Sequence, residues 1–115
     1  MSRHFSDTAW IHFMHWVKEN RKKAQKISDL IDDIERNGVS KGIGKPEALK
    51  HQYQGYWSRK IDDENRLIYK ITENGVVYVA ACKGHYDDKM RELGVNPIVQ
   101  PFRKGAAFLL QIYEY

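Results

Sequence analysis

The sequence has one cysteine, three prolines and no apolar run longer than the stretch around Val76 to Cys82. A lone thiol cannot close an internal disulfide. Cys82 lies between Ala81 and Lys83 in an apolar segment, where a small packed hydrophobe is the expected role and a nucleophile the minor alternative. The apolar run is far shorter than a membrane span, and no basic segment followed by an apolar stretch opens the chain, so a cytosolic, cytoplasmic protein with no membrane partner is expected. There is no glycine-rich phosphate loop ending in Lys-Ser/Thr, no nucleophile elbow and no Cys-His pair with a third group beside it. Internal repeats and low-complexity segments are also missing.

What is present is the balance of a folded domain: 115 residues, 42% hydrophobic and 30% charged. That length supports one modest core. The formal net charge of +4 draws the protein towards polyanions, nucleic acid before acidic small molecules.

Arg3-His4-Phe5 suits a short first strand. Ser6 and Asp7 offer N-cap oxygens to a helix whose apolar residues run through Ala9-Trp10, Phe13-Met14 and Val17. A second helical pattern starts near Arg21, carries Ala24, Ile27, Leu30, Ile31 and Ile34 at the same spacing, and has Gly38 to end it. Residues 38–55 hold several glycines and a proline without a sustained period, which predicts a loop with one helical turn after Pro46. Three strand patterns follow, Tyr56 to Ile61, Arg66 to Thr72 and Val76 to Lys83, joined by polar turns at 62–65 and 73–75 as an antiparallel meander. In the second strand Leu67, Tyr69 and Ile71 alternate with Arg66, Ile68 and Lys70, so one face packs on the helices and Arg66 belongs to an open, basic face. Beyond Asp88 the pattern reads as a short helix, a proline-punctuated link and a final apolar strand at Ala107 to Tyr113.

Cleaving RNA without a metal needs a base for the ribose 2′-hydroxyl, an acid for the leaving 5′-oxygen and cations for the charge on phosphorus. Glu47, flanked by Lys45 and Lys50 in the glycine-rich loop, suits the base. His85, at a strand end after Gly84, suits the acid. Arg59, Lys60 and Arg66 suit the phosphate, and Tyr86 adds a phenol and a stacking face. Taken singly, each has a plainer reading: a glutamate among lysines is usually a solvated surface residue, His4, His12, His15 and His51 show that histidine is used freely, and Arg59-Lys60 is usually a solvated strand face. Tyr56 and Trp57 read first as rim and core aromatics and only second as base-stacking platforms, although Tyr56, beside the basic residues, suits both roles. His12 and His15 stand at i and i+3 on a helix, but no cysteine or carboxylate partner lies at a zinc spacing, so structural or surface roles come first.

Three stretches in order, KPEALKH (45–51), GYWSRKIDDENRLIY (55–69) and AACKGHY (80–86), closely resemble the YoeB/Txe toxins of bacterial type II toxin–antitoxin modules, as does FSDTAW followed by two helices. The resemblance implies an α+β, RelE-like fold, two N-terminal helices on one face of a mostly antiparallel four- to five-stranded sheet. It also implies an endoribonuclease that cuts mRNA in the ribosomal A site without a cofactor. Its general base falls on Glu47, its general acid on His85 and its transition-state arginine on Arg66, with Lys50 and Tyr86 in support. The partners implied are a cognate YefM/Axe-like antitoxin, whose acidic C-terminal segment would cover His85 and Tyr86, the ribosome with its mRNA, and a second copy of the toxin. The chain departs from the pattern in two places. Lys60 stands where a second arginine is common, keeping the charge without the planar fork, and the chain runs on past the His-Tyr pair. Residues 1–88 are therefore expected to be the toxin domain and 89–115 an extension. Two other functions fit the same scaffold: a gyrase-poisoning ParE-like toxin, which should lack the Glu/His pair, and a non-catalytic RNA- or ribosome-binding module whose site the extension blocks.

Overall fold

The computed structural model describes residues 2–84. Its elements are β1 (Arg3–Phe5), α1 (Asp7–Glu19), α2 (Arg21–Asn37), β2 (Glu47–Ala48), β3 (Trp57–Lys60), β4 (Arg66–Ile71) and β5 (Val77–Ala81). The expected helix and strand after Asp88 lie outside the described residues.

The two helices follow each other with one residue between them. Ser6 caps α1, its Oγ accepting from the Ala9 N–H at 3.0 Å. Asn20 both ends α1, donating its N–H to the Trp16 carbonyl, and opens α2, its side chain accepting from the Lys23 N–H. Gly38, at φ +88°, ends α2 in a conformation that a residue with a Cβ resists.

The strands form one sheet in the order β1-β5-β4-β3-β2. The three predicted strands form the antiparallel meander β3-β4-β5, and β1 adds to its edge in parallel, with His4 opposite Tyr78. Parallel pairing needs a crossover, and the α1-α2 hairpin with the loop behind it provides the length. The loop expectation for 38–55 is corrected in one part. The residues after Pro46 are the short strand β2, paired with β3, and the helical turn comes later, a 3₁₀ turn at His51–Tyr53. Lys45, at φ +52°, turns the chain into that strand.

The core lies between the helices and one sheet face. Ala9 and Trp16 of α1, and Ala24, Ile27, Leu30, Ile31 and Ile34 of α2, meet Leu67, Tyr69, Val77 and Val79. The stripe at three- and four-residue spacing is thus the buried face of α2. Cys82 is fully buried in the same cluster, and burial pushes its thiol well above the ordinary range, which fits packing and not nucleophilic attack. The Trp16 indole donates to the Cys82 carbonyl at 2.8 Å, and the Cys82 N–H donates to His12 Nδ1 at 3.1 Å, so α1 grips the end of the last strand. Among the described residues no helix is long and apolar enough to cross a membrane.

Candidate functional site

Strand pairing decides which candidate residues share a face. Trp57 and Arg59 alternate with Ser58 and Lys60 along β3, and Trp57 packs against the core while Arg59 is fully buried. Ser58 and Lys60 therefore point away from the helices. Glu47 pairs with Ser58, and Arg66 pairs with Lys60. Directly opposed residues lie on the same side of an antiparallel pair, so Glu47, Lys60 and Arg66 share the face away from the helices. Two strand spacings and a two-residue offset put the Glu47 and Arg66 backbones roughly 12 Å apart, close enough for their long side chains to reach one phosphodiester. Ser58 and Ile68 between them are buried, so this face is not uniformly open as the alternation predicts: it has a closed floor with charged residues around it.

Arg66 is half-buried, and its side chain forms no ion pair among the described residues. Its backbone N–H donates to the Gly84 carbonyl at 2.7 Å, and the Gly84 N–H donates to Asn65 Oδ1 at 2.8 Å. Asn65 is itself fixed in the β3-β4 turn, where Asp62 Oδ1 accepts from the N–H groups of Glu64 and Asn65 at 2.7 and 2.8 Å. Burial pushes the Asp62 carboxyl up, but the Lys23 ammonium and the turn N–H groups outweigh it and hold it at about 2. A rigid turn thus grips the residue that immediately precedes His85. His85 and Tyr86 themselves lie outside the described residues. Glu47, Lys45 and Lys50 are exposed on and around β2, and Lys60 reaches the exposed Asp63 at 3.3 Å.

Arg59 requires a correction. The strand alternation that frees Lys60 turns Arg59 inward, and its five N–H donors are all engaged inside the protein. Nε donates to the Tyr69 hydroxyl at 2.8 Å, Nη1 to Asp33 Oδ2 at 2.5 Å and the Ile43 carbonyl at 3.1 Å, and Nη2 to the carbonyls of Gly38 and Lys41 at 2.9 and 2.7 Å. No donor remains for a phosphate. Arg59 instead ties the loop after α2 to the sheet, and so sets the path into Glu47. Its partner Asp33 also accepts from the Ile43 N–H and the Asn37 amide. Burial raises the Asp33 carboxyl, yet the Arg59 and Ile43 hydrogen bonds prevail and hold it below its ordinary value. The loop closes tightly enough that a Cβ at Gly42 would fall on Asp33 Oδ2.

The sequence carried a signal for this buried pair. Asp33 interrupts the apolar stripe of α2 beside Leu30 and Ile34, and Arg59 shares strand parity with Trp57 and Ile61. An acid and a base both placed inward are expected to meet.

A helix pair on a five-stranded sheet, a basic face and a strand end leading to Gly84-His85-Tyr86 can be compared with known proteins. The model of the family described as "YoeB-like toxin of bacterial type II toxin-antitoxin system" matches residues 5–86. The chain belongs to this family. A Toxin YoeB of Streptomyces coelicolor is 46% identical over 82 residues, covering 71% of this chain and 95% of the relative. Among solved structures, a YoeB-YefM complex from Staphylococcus aureus matches with TM-score 0.70 and 41% identity, over 75% of this chain and 98% of that one. A YoeB dimer from the same organism matches with TM-score 0.70 and 38% identity, over the same shares. The protein is accordingly a toxin of a type II toxin–antitoxin system with an α+β, RelE-like fold. In YoeB terms, the β2-β3-β4 face of this toxin is where the sequence resemblance puts its working residues.

Proposed function

We propose that this toxin is a ribosome-dependent mRNA endoribonuclease that inhibits translation. The observation that carries the reading is the register that brings Glu47 and Arg66 to one sheet face, with no ion pair to Arg66 among the described residues and its backbone bonded to the residue before His85.

In this reading the Glu47 carboxylate takes the proton of a ribose 2′-hydroxyl, and the 2′-oxygen attacks the adjacent phosphorus. Arg66 holds the oxygens of the phosphorane as charge builds on them, with Lys45, Lys50 and Lys60 around it. His85 protonates the departing 5′-oxygen, and Tyr86 stacks on a base. The products are a 2′,3′-cyclic phosphate and a 5′-hydroxyl. The nucleophile belongs to the substrate, so the step itself calls for no metal or organic cofactor.

A YefM/Axe-like antitoxin is the proposed inhibitor, its acidic segment covering the basic face, and a second copy of the toxin is a proposed partner. The site of action is the cytoplasm, where the ribosomal A site is met. Residues 1–88 form the toxin domain in this reading, and 89–115 an extension.

The test is toeprinting of a translating message with purified toxin, its His85→Ala variant and a form ending at Asp88. A-site cuts by the parent that disappear with His85→Ala support the nuclease. Salt-sensitive ribosome binding without cuts from any form supports the binding module.

A further inference from the structure

We propose that His4, Tyr78, Lys70 and Tyr56, a row across β1, β5, β4 and the residue leading into β3 on the sheet face away from the helices, form a base-stacking platform for unpaired RNA next to the cut, an inference that rests on the nuclease reading above. His4 of β1 pairs with Tyr78 of β5, and Tyr78 pairs with Lys70 of β4. Tyr56 directly precedes Trp57, whose partner is Tyr69, and so stands beside Lys70. The Lys70 ammonium sits 4.8 Å from the Tyr56 ring centroid and 5.6 Å from that of Tyr78. His4 and Tyr78 have ring centroids 5.5 Å apart with planes 31° from parallel.

Three features give this row a ligand. Cross-strand packing alone would be served by apolar side chains, but here a lysine stands between two phenols with no carboxylate partner among the described residues. Its charge is open to an anion. Tyr56, Lys70 and Tyr78 are each only half-buried and His4 is exposed, so rings and ammonium reach the surface. Finally, Lys70 and Arg66 lie on the same face of the same strand, four residues apart, which is roughly 13 Å. A strand of RNA whose scissile phosphate rests at Arg66 is led along β4 to the row.

Aromatic faces interleaved with cations are what single-stranded nucleic acid selects, because every base has a stacking face and every nucleotide a phosphate. An acidic peptide would be served better by several cations than by one lysine among three rings. The occupant is therefore RNA, and the contact is tolerant of sequence.

The test titrates the full-length toxin against programmed ribosomes carrying either of two messages, identical except that the unpaired nucleotides just 3′ of the A-site codon lack their bases in one. Base stacking contributes roughly fivefold to a hundredfold per base. The toxin concentration giving half-maximal cleavage should rise at least about fivefold on the abasic message, with the saturating rate unchanged. Tyr78→Ala should show that raised value on both messages, and Tyr78→Phe should follow the parent.

A parent insensitive to base removal overturns the platform, with no variant needed. So does a Tyr78→Ala protein with the parent's half-saturation on the intact message; if that variant also loses antitoxin capture, the row belongs to a protein partner. Absence of any cut by the parent overturns the nuclease reading itself, and the platform with it.

Discussion

The backbone N–H of Arg66 donates to the carbonyl of Gly84 at 2.7 Å, and the Asn65 side chain accepts from the Gly84 N–H at 2.8 Å. The first residue of β4 and the turn before it therefore hold the point from which the chain continues into His85. In the proposed mechanism Arg66 has two separable roles, its side chain towards phosphate and its backbone, bonded to the Gly84 carbonyl, towards the strand end. Arg66→Ala keeps the backbone bond, so it should cut roughly 10²–10³-fold more slowly while its melting temperature stays near the parent's. Asn65→Ala removes the side-chain half of the grip and should slow cleavage up to about 10²-fold through misplacement. Cleavage kinetics beside thermal melts check both.

Arg59 behaves in the opposite way. Arg59→Ala leaves the buried Asp33 carboxylate without its partner and frees the carbonyls of Gly38, Lys41 and Ile43. Breaking a buried pair on one side costs about 3–5 kcal/mol. Denaturant unfolding should show a loss of that size, and Arg59→Lys should recover only part of it, because one ammonium cannot replace five fixed donors. A variant that unfolds like the parent but binds ribosomes more weakly would return Arg59 to the phosphate.

Gly42 is held at φ +121°, and an added Cβ would meet Asp33 Oδ2. Gly75, at φ +79°, has nothing within 4 Å of that position. Gly75→Ala should therefore cost only the left-handed backbone penalty, about 1–2 kcal/mol. Gly42→Ala should cost more, since it also displaces the carboxylate that Arg59 needs. Equal losses in the two variants, measured by denaturant unfolding, would contradict the tight closure of this loop.

His12 links stability to pH. Burial first, then the charges of Lys83 and His15, lower it from 6.5 to about 3. The folded protein thus binds its proton less readily than the unfolded chain. Stability from this group is fully present above pH 6.5 and is lost as pH falls towards 3. Between pH 6.5 and 4.5 the loss should be about 2 kcal/mol, with a smaller share from His15, which burial also lowers. Nδ1 also accepts from the Cys82 N–H at 3.1 Å, a bond that a proton on that nitrogen would remove. Unfolding curves of the parent and His12→Gln across this range should differ in slope, with the variant flatter.

Much of the fold was legible because local and global signals agree. The α2 stripe, the Ser6 cap, Gly38 and the alternation of Leu67, Tyr69 and Ile71 each specify the element that forms. β1 was readable as a strand but not as a parallel one, since its partner is more than seventy residues away and nothing local fixes direction. β2 was missed because Glu47–Ala48 is too short to show alternation and is made by its pairing with β3. In the site, alternation in the sequence put Arg66 on the outer face, but Glu47 was read as part of a loop, and the face it shares with Lys60 and Arg66 comes from strand pairings that lie outside any local pattern. Arg59 was misread because charge was weighed before parity: two basic neighbours in a strand cannot both face the substrate. Of the Tyr56–Lys70–Tyr78–His4 row only Tyr56, beside basic residues, was legible as a stacking candidate, since the row is assembled through strand pairings that no local pattern displays.

In the proposed mechanism a substrate 2′-hydroxyl attacks the phosphorus, and one substitution in the message tests this step. A ribosome-bound mRNA carrying a single 2′-deoxy nucleotide 5′ to the scissile phosphate should remain intact with the toxin, while the all-ribose message is cut to ends bearing 2′,3′-cyclic phosphate and 5′-hydroxyl. Equal cutting of the two messages at that bond would contradict the mechanism.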